Sequence, residues 1–170
     1  MDKAITTALL IIISMIMAMM LFNSAYPAVI QGGDAITSMA NRSDQQMRSQ
    51  VEIIHGAGEL DSGGFWQDTN GNNVFEVFLW VKNVGESRLI APEQTDVFFG
   101  PEANFTRIKY ATDSSSGYPY WSYSFENGSD WSPNVTLKVT IHYGMPQSSG
   151  RYFAKLMTTS GVMSEYFMGL

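Results

Sequence analysis

Residues 68–76 hold the densest run of hard oxygen donors in the chain: Asp68, Asn70, Asn72 and Glu76, interleaved with Thr69, Gly71 and Asn73. Carboxylate and amide oxygens at alternate positions are what a calcium loop offers a hard cation. The spacing departs from the EF-hand loop, which wants glycine at the sixth place, here Asn73, and an acid at the twelfth, here Leu79. An Asn-Gly turn entering a strand accounts for the same residues. No metal and no cofactor is therefore expected, with Asp68, Asn70 and Asn72 the weak candidates if a cation is held. His55 and His142 stand alone on stretches that read as strands, where a surface or satisfied imidazole is the ordinary outcome. The chain has no cysteine, so it offers no thiolate nucleophile, disulfide or cysteine zinc site. No G-x-S-x-G, H-E-x-x-H or phosphate-binding glycine loop occurs. Catalysis needs a base near a nucleophile, the sequence proposes no such pair, and the chain is expected not to be an enzyme.

Glycan attachment is open to four N-x-S/T sequons, at Asn41, Asn104, Asn127 and Asn134, none with proline in the middle. A formal charge of −6 argues against a nucleic-acid surface, which needs clustered Lys and Arg. The aromatics Phe65, Trp66, Trp80, Tyr118, Tyr120, Trp121, Tyr123 and Trp131 exceed what one small core needs. Some of them are expected to meet a partner, and exposed rings suit protein or sugar alike.

The elements that must position these groups start with an apolar run. Between Lys3 and Asp34 there is no charge, and residues 4–22 are apolar on nearly every side. Such a helix has no polar face to offer water. At about 1.5 Å per residue, roughly 20 residues span a hydrocarbon core of about 30 Å. Ile5, Leu9, Ile12, Ile16, Met19 and Phe22 are accordingly assigned to a membrane span or a filament-core helix, covered by lipid or by sister helices. Met15, Met17, Met19 and Met20 are flexible enough to fill gaps between such helices. A secretory signal has an apolar centre of about 7–15 residues and a small-residue exit. This run is longer and residues 23–28 make a poor cleavage site, so the helix is expected to be retained. Pro27 and the pair Gly32-Gly33 should kink or loosen it. Ile36, Ala40, Met47, Val51 and Ile54 then recur at near-helical spacing among polar residues, as an amphipathic stalk. It gives way at residues 51–55, where β-branched side chains take over.

Beyond that point the period is two. Phe75, Val77, Leu79 and Val81 alternate with Glu76, Phe78, Trp80 and Lys82; Trp121, Tyr123 and Phe125 alternate with serines; Leu137, Val139 and Ile141 alternate with Thr136, Lys138, Thr140 and His142. Val139 and Ile141 are expected inside. Short strands at residues 97–99 and 105–110 and a closing hairpin over 151–157 and 162–168 complete about seven strands. The loop over residues 113–117 is mobile on composition. The architecture expected is a long amino-terminal hydrophobic, type IV pilin-like helix and stalk over residues 1–50. An antiparallel immunoglobulin-like β-sandwich follows over residues 51–170, so the chain is mainly β.

An apolar helix continuous with a stalk and followed by a cysteine-free sandwich resembles the archaeal flagellin (archaellin) superfamily. Within it, Val77-Phe78-Leu79-Trp80-Val81-Lys82-Asn83-Val84-Gly85 followed by Asp96-Val97-Phe98-Phe99-Gly100 is similar to the "hydrophobic strand, K-N-x-G, short strand, G" run of the flagella-related proteins G and F. Filament-forming archaellins carry a basic residue followed by glycine before the helix; here only Lys3-Ala4 is available. The resemblance therefore implies a non-enzymatic, envelope-anchored accessory or stator protein that links the archaellum motor to the S-layer. Its domain would lie outside the cytoplasm in the pseudo-periplasm. Its partners would be other archaellum components, the S-layer protein, the membrane and, through the helix, copies of itself. Two other readings stay open at this point: a filament subunit polymerising through the helix, and a membrane-tethered sugar- or protein-binding module.

Overall fold

The computed structural model describes residues 2–113 and 117–170. The expected mobile loop lies largely outside the described residues. The chain divides into two compact units, Met1–Ser43 and Asp44–Leu170.

Helix α1 runs Asp2–Arg48 without a break. Pro27 and Gly32-Gly33 therefore lie inside one helix: of the two outcomes expected at Pro27, the chain continues rather than restarts. Proline removes one N–H···O bond, each glycine costs about 1 kcal/mol of propensity, and the flanking turns hold the ladder. Its apolar half contains a stretch of mean hydropathy 2.5, long and apolar enough to cross a membrane, and exposed throughout among the described residues. Ile5, Leu9, Ile12, Ile16, Met19 and Phe22 are each at least half exposed. The few hydroxyls there do not give it a polar face. Thr7 Oγ1 donates to the Lys3 carbonyl at 2.7 Å and Ser14 Oγ to that of Ile11 at 2.8 Å, so each hydroxyl proton is spent on the helix's own backbone.

The second unit holds eight strands: β1 Val51–Gly58, β2 Phe75–Asn83, β3 Asp96–Pro101, β4 Thr106–Tyr110, β5 Tyr120–Phe125, β6 Thr136–Tyr143, β7 Arg151–Met157 and β8 Met163–Gly169. Their order is β1-β2-β6-β5-β4-β3-β7-β8. All ladders are antiparallel except β4–β5, where Lys109 and Tyr110 pair in parallel with Tyr120 and Trp121. The two edges approach each other, with the Ile53 N–H donating to Ser164 Oγ at 3.0 Å. Gly56 leaves room there for Met168, whose sulfur would stand 2.7 Å from a Cβ at that position. The result is a sandwich close to a closed barrel.

The alternation read from sequence is the core. Phe75, Val77, Leu79 and Val81 of β2, Leu137, Val139 and Ile141 of β6 and Trp121 of β5 are all buried. They pack with Val97, Phe99, Ile108, Ala154 and Leu156 from the rest of the sheet. β1 corrects the helical spacing assigned to Val51 and Ile54. Val51 and Ile53 face inward, while a register shift between Ile53 and His55 leaves Ile54 outside. Residues three apart share a helix face but fall on opposite faces of a strand, so it is the β-branched run and not the spacing that favours the strand.

Candidate functional site

The join between helix and sheet is built from the K-N-x-G turn. The last carbonyls of a helix have no partner of their own. Here the N–H groups of Glu86 and Ser87 donate to the Arg48 carbonyl at 2.8 and 3.2 Å, and those of Val84 and Gly85 donate to the Gln50 carbonyl at 2.9 and 3.1 Å. Gly85 is required by this approach: a Cβ on it would overlap the Arg48 carbonyl oxygen and stand 2.5 Å from the Gln50 nitrogen. Asn83, fully buried, sets the turn. Its Oδ1 accepts the Gly85 N–H at 3.0 Å, and its Nδ2 donates to the carbonyls of Ser87 and Trp131, each at 2.9 Å. Each bond is worth about 1 kcal/mol net, but together the four backbone bonds fix the helix end to the turn after β2, and the Asn83 side chain holds that turn in shape.

At the opposite end of β2 the structure gathers a polar chain that the sequence did not announce. Register places Glu76 opposite His142, and His142 opposite Tyr120, on the outer face of the sheet. His142 Nδ1 lies 2.9 Å from Glu76 Oε1 and its Nε2 lies 2.8 Å from Ser122 Oγ. Beside a carboxylate Nδ1 carries the proton, so Nε2 accepts from the serine. Burial lowers the His142 pKa against the opposing pull of Glu76, and the neutral ring is satisfied at both nitrogens. This is the atom order of an acyl-transfer triad, but that chemistry also needs oxyanion donors and a cleft for the acyl group. Ser122 sits inside a strand paired along β6, His142 is stacked on Tyr120 at 4.6 Å, and the clefts beside Arg88 are lined by other residues. The arrangement ties β2, β6 and β5 together.

The segment between β1 and β2 folds over this chain and buries both Glu76 and Glu59. Glu59 accepts from Thr69 Oγ1 at 2.6 Å, the Thr69 N–H at 3.1 Å, the Glu76 N–H at 3.1 Å and Trp66 Nε1 at 3.3 Å. A carboxylate so supplied with donors needs no cation. The metal candidates belong to the same segment. Asp68 accepts the N–H groups of Gly71, Asn72 and Asn73, and these bonds, with that of Asn73 the strongest, lower its pKa. Asn70 Nδ2 and Asn72 Nδ2 donate to Glu76, while their oxygens accept the N–H groups of Asn72 and Val74. The oxygens a cation would use are turned onto the turn's own backbone.

The outer faces carry the aromatics. On one side Lys138 Nζ stands 4.5 Å over Phe78 and 5.4 Å over Trp80. On the other, Phe105, Phe153 and Phe167 form a row at 4.7 and 5.0 Å, with Arg151 4.8 Å over Phe167. Trp121 and Trp131 are core, Phe65 and Tyr118 are exposed, and the other rings singled out are half-buried. All four sequon asparagines are exposed. Asn127 is engaged, its Nδ2 donating to the Asn134 carbonyl at 3.3 Å and its Oδ1 accepting the Thr136 N–H at 2.8 Å.

No family model matches the chain. An uncharacterized protein of Archaeoglobus fulgidus is 26% identical over 175 residues, with 97% of each chain covered. Two solved structures share the fold. The archaellum periplasmic stator protein FlaG from Sulfolobus acidocaldarius aligns with a TM-score of 0.53 and 22% identity, covering 71% of this chain and 99% of that one. A chain of the archaellum periplasmic stator protein complex FlaF and FlaG, from the same organism, aligns with a TM-score of 0.52 and 24% identity, covering 74% and 93%. Both are described as archaellum periplasmic stator proteins, and neither as an archaellin.

Proposed function

We propose that this chain is a non-enzymatic, envelope-anchored structural component of the archaellum, a stator-type accessory protein whose sheet domain stands outside the cytoplasm. The observation that carries the reading is the fold. About 71% of this chain aligns with 99% of a protein described as an archaellum periplasmic stator. The chemistry is consistent with it. An apolar helix exposed throughout among the described residues calls for lipid or sister helices. The last helical residue, Arg48, and Gln50 after it, both within the Asp44–Leu170 unit, accept backbone bonds from Val84, Gly85, Glu86 and Ser87. Its partners on this reading are other archaellum components, with the S-layer protein a further candidate.

The test is deletion followed by microscopy. Cells lacking the protein should still make filament subunit but lose normal filament assembly or swimming, and the sheet domain should co-purify with an envelope partner. Intact swimming would end this reading. A second reading, a filament subunit, draws on the uncovered helix, which identical helices could bury as well as lipid could. Mass spectrometry of the native amino terminus separates the two, because a polymerising subunit of this kind is processed and an anchored one keeps residues 1–3.

A further inference from the structure

Of the four sequons, Asn104-Phe105-Thr106 is the one whose reacting groups the fold leaves free. A saccharide joins an asparagine amide where that amide and the hydroxyl two residues on both reach the transferring enzyme, which is why such sites lie on surface loops. Asn104 and Thr106 are exposed, and neither side chain makes a hydrogen bond among the described residues. What holds the segment is its backbone and its middle residue. The Asn104 N–H donates to the Pro101 carbonyl at 2.8 Å, closing the turn between β3 and β4. Gly100 makes the room, since a Cβ there would stand 2.7 Å from the Asn104 carbonyl oxygen and 2.8 Å from the Phe105 Cα. Phe105 packs on Phe153 at 4.7 Å, and Thr106 opens β4 opposite Phe99. Where a chain runs extended, residues two apart share a face and the one between takes the other. With Phe105 set against Phe153, the two side chains that the chemistry uses stay in solvent. We propose that Asn104 is the N-glycosylated residue of this chain, its amide nitrogen bonded to the anomeric carbon of a saccharide.

Each of the other three sequons is disfavoured by its own surroundings. Asn41 lies within α1, where residues two apart point about 200° away from each other, so its amide and the Ser43 hydroxyl do not present together. Asn127 has both ends of its amide engaged, Nδ2 donating to the Asn134 carbonyl at 3.3 Å and Oδ1 accepting the Thr136 N–H at 2.8 Å. Asn134 is held in that same turn with φ 68°, its N–H donating to the Asn83 carbonyl at 2.8 Å. Its hydroxyl partner, Thr136, is half-buried in β6 and in register with Lys82. The step at Asn104 is a substitution on a saccharide carried as a phosphate ester. A bond forms from Nδ2 to the anomeric carbon, the bond from that carbon to the phosphate oxygen breaks with its electron pair leaving on the phosphate, and one amide proton is released. Nothing is oxidised or reduced. The inference rests on the reading that the sheet domain stands outside the cytoplasm, since the sequon is an acceptor in exported protein.

The experiment is mass spectrometry of tryptic peptides from the full chain, purified from the cells that make it. Cleavage after Lys and Arg frees residues 89–107, in which Asn104 is the only sequon, and residues 110–138, which carry Asn127 and Asn134 together. The 89–107 peptide should bear saccharide mass in most molecules, and the 110–138 peptide and the peptide holding Asn41 should be largely bare. Thr106→Val keeps the shape of an exposed side chain but removes the hydroxyl, and should abolish the modification; Thr106→Ser should retain it. A second measurement separates this inference from the reading beneath it. The chain has no cysteine, so Ser148→Cys, at an exposed position between β6 and β7, reports which side of the membrane the domain occupies when intact cells are treated with a membrane-impermeant maleimide. A labelled domain with a bare 89–107 peptide overturns the glycosylation of Asn104 and leaves the location standing. An unlabelled domain with a bare peptide ends both. The proposal also falls if another sequon is occupied as fully as Asn104, or if Thr106→Val is modified as fully as the wild type.

Discussion

Replacing Gly85 by Ala tests the join between helix and sheet directly. A Cβ there would overlap the Arg48 carbonyl oxygen and lie 2.5 Å from the Gln50 nitrogen. Both obstacles are backbone, so no side chain can swing aside, and one strand of chain has to retreat by about 1 Å to restore ordinary contact. Overpacking of this kind costs about 1–3 kcal/mol. The retreat lengthens the bonds from Val84, Gly85, Glu86 and Ser87; losing two of the four adds about 2 kcal/mol. The expected total is about 3–5 kcal/mol, measured as a shift in the urea midpoint of a soluble Asp44–Leu170 fragment. Hydrogen exchange adds a local reading, since the amides of residues 84–87 should lose protection before those of β6. Gly150→Ala is the control: nothing lies within 4 Å of a Cβ there, and its effect should stay within about 0.5 kcal/mol. If the two substitutions prove equally mild, Gly85 is a plain turn residue and the clamp is misconceived.

Other expectations follow from named residues. Ile141, 0% exposed, should cost about 2–5 kcal/mol on Ile141→Ala; a denaturation shift under about 0.5 kcal/mol would mean that the strand faces the other way. His142 has a folded pKa below its ordinary 6.5, so the unfolded chain takes up the proton first. Stability is then held above that value and lost as pH falls through the folded pKa. His142→Gln should flatten the change in urea midpoint between about pH 7.5 and about pH 5.5, and an unchanged slope would refute the assignment. Ile13→Asp should cost about 2.5–3.5 kcal/mol of membrane insertion, read from microsomal insertion assays; insertion as efficient as wild type would show that residue 13 does not cross lipid. Of the sequons, Asn104 should carry glycan before Asn127, whose amide is already bonded. Intact-peptide mass spectrometry decides between them.

The sheet was readable because its signal is local. Period-two apolar residues at 75–81 and 137–141 dictate which face goes inward wherever the strands pair, and no partner need be known. The single helix was harder. Pro27 and the glycine pair are breakers by propensity, yet propensity is a small term beside a ladder that continues on both sides. The β4–β5 pairing was beyond reach for another reason. Two residues in parallel register leave no periodic trace, because parallel and antiparallel strands alternate alike.

The sites divide along the same line. Asp68, Asn70 and Asn72 were legible as a turn because every bond they accept closes within five residues and those the two amides donate reach no further than Glu76. Glu76, Ser122 and His142 were not, since 46 positions separate the first from the second in the chain and only the register of β2 on β6 on β5 joins them. Asn83 and Gly85 lie between these cases. The turn they make is local, but their second role, meeting the end of a helix that stops at Arg48, depends on a segment more than thirty residues upstream. A strand-ending Asn and Gly would serve any hairpin. Burial of Asn83 to 0% with all three of its side-chain bonds made goes beyond what a hairpin asks, because a buried amide is retained only where its geometry is needed. That extra requirement is what residues 77–85 would contribute to the role proposed above. Asn83→Ala should therefore loosen both the helix end and the Leu89–Trp131 backbone pairing, whose carbonyl Asn83 also bonds, whereas a change confined to the turn would leave the Leu89 N–H protected from exchange.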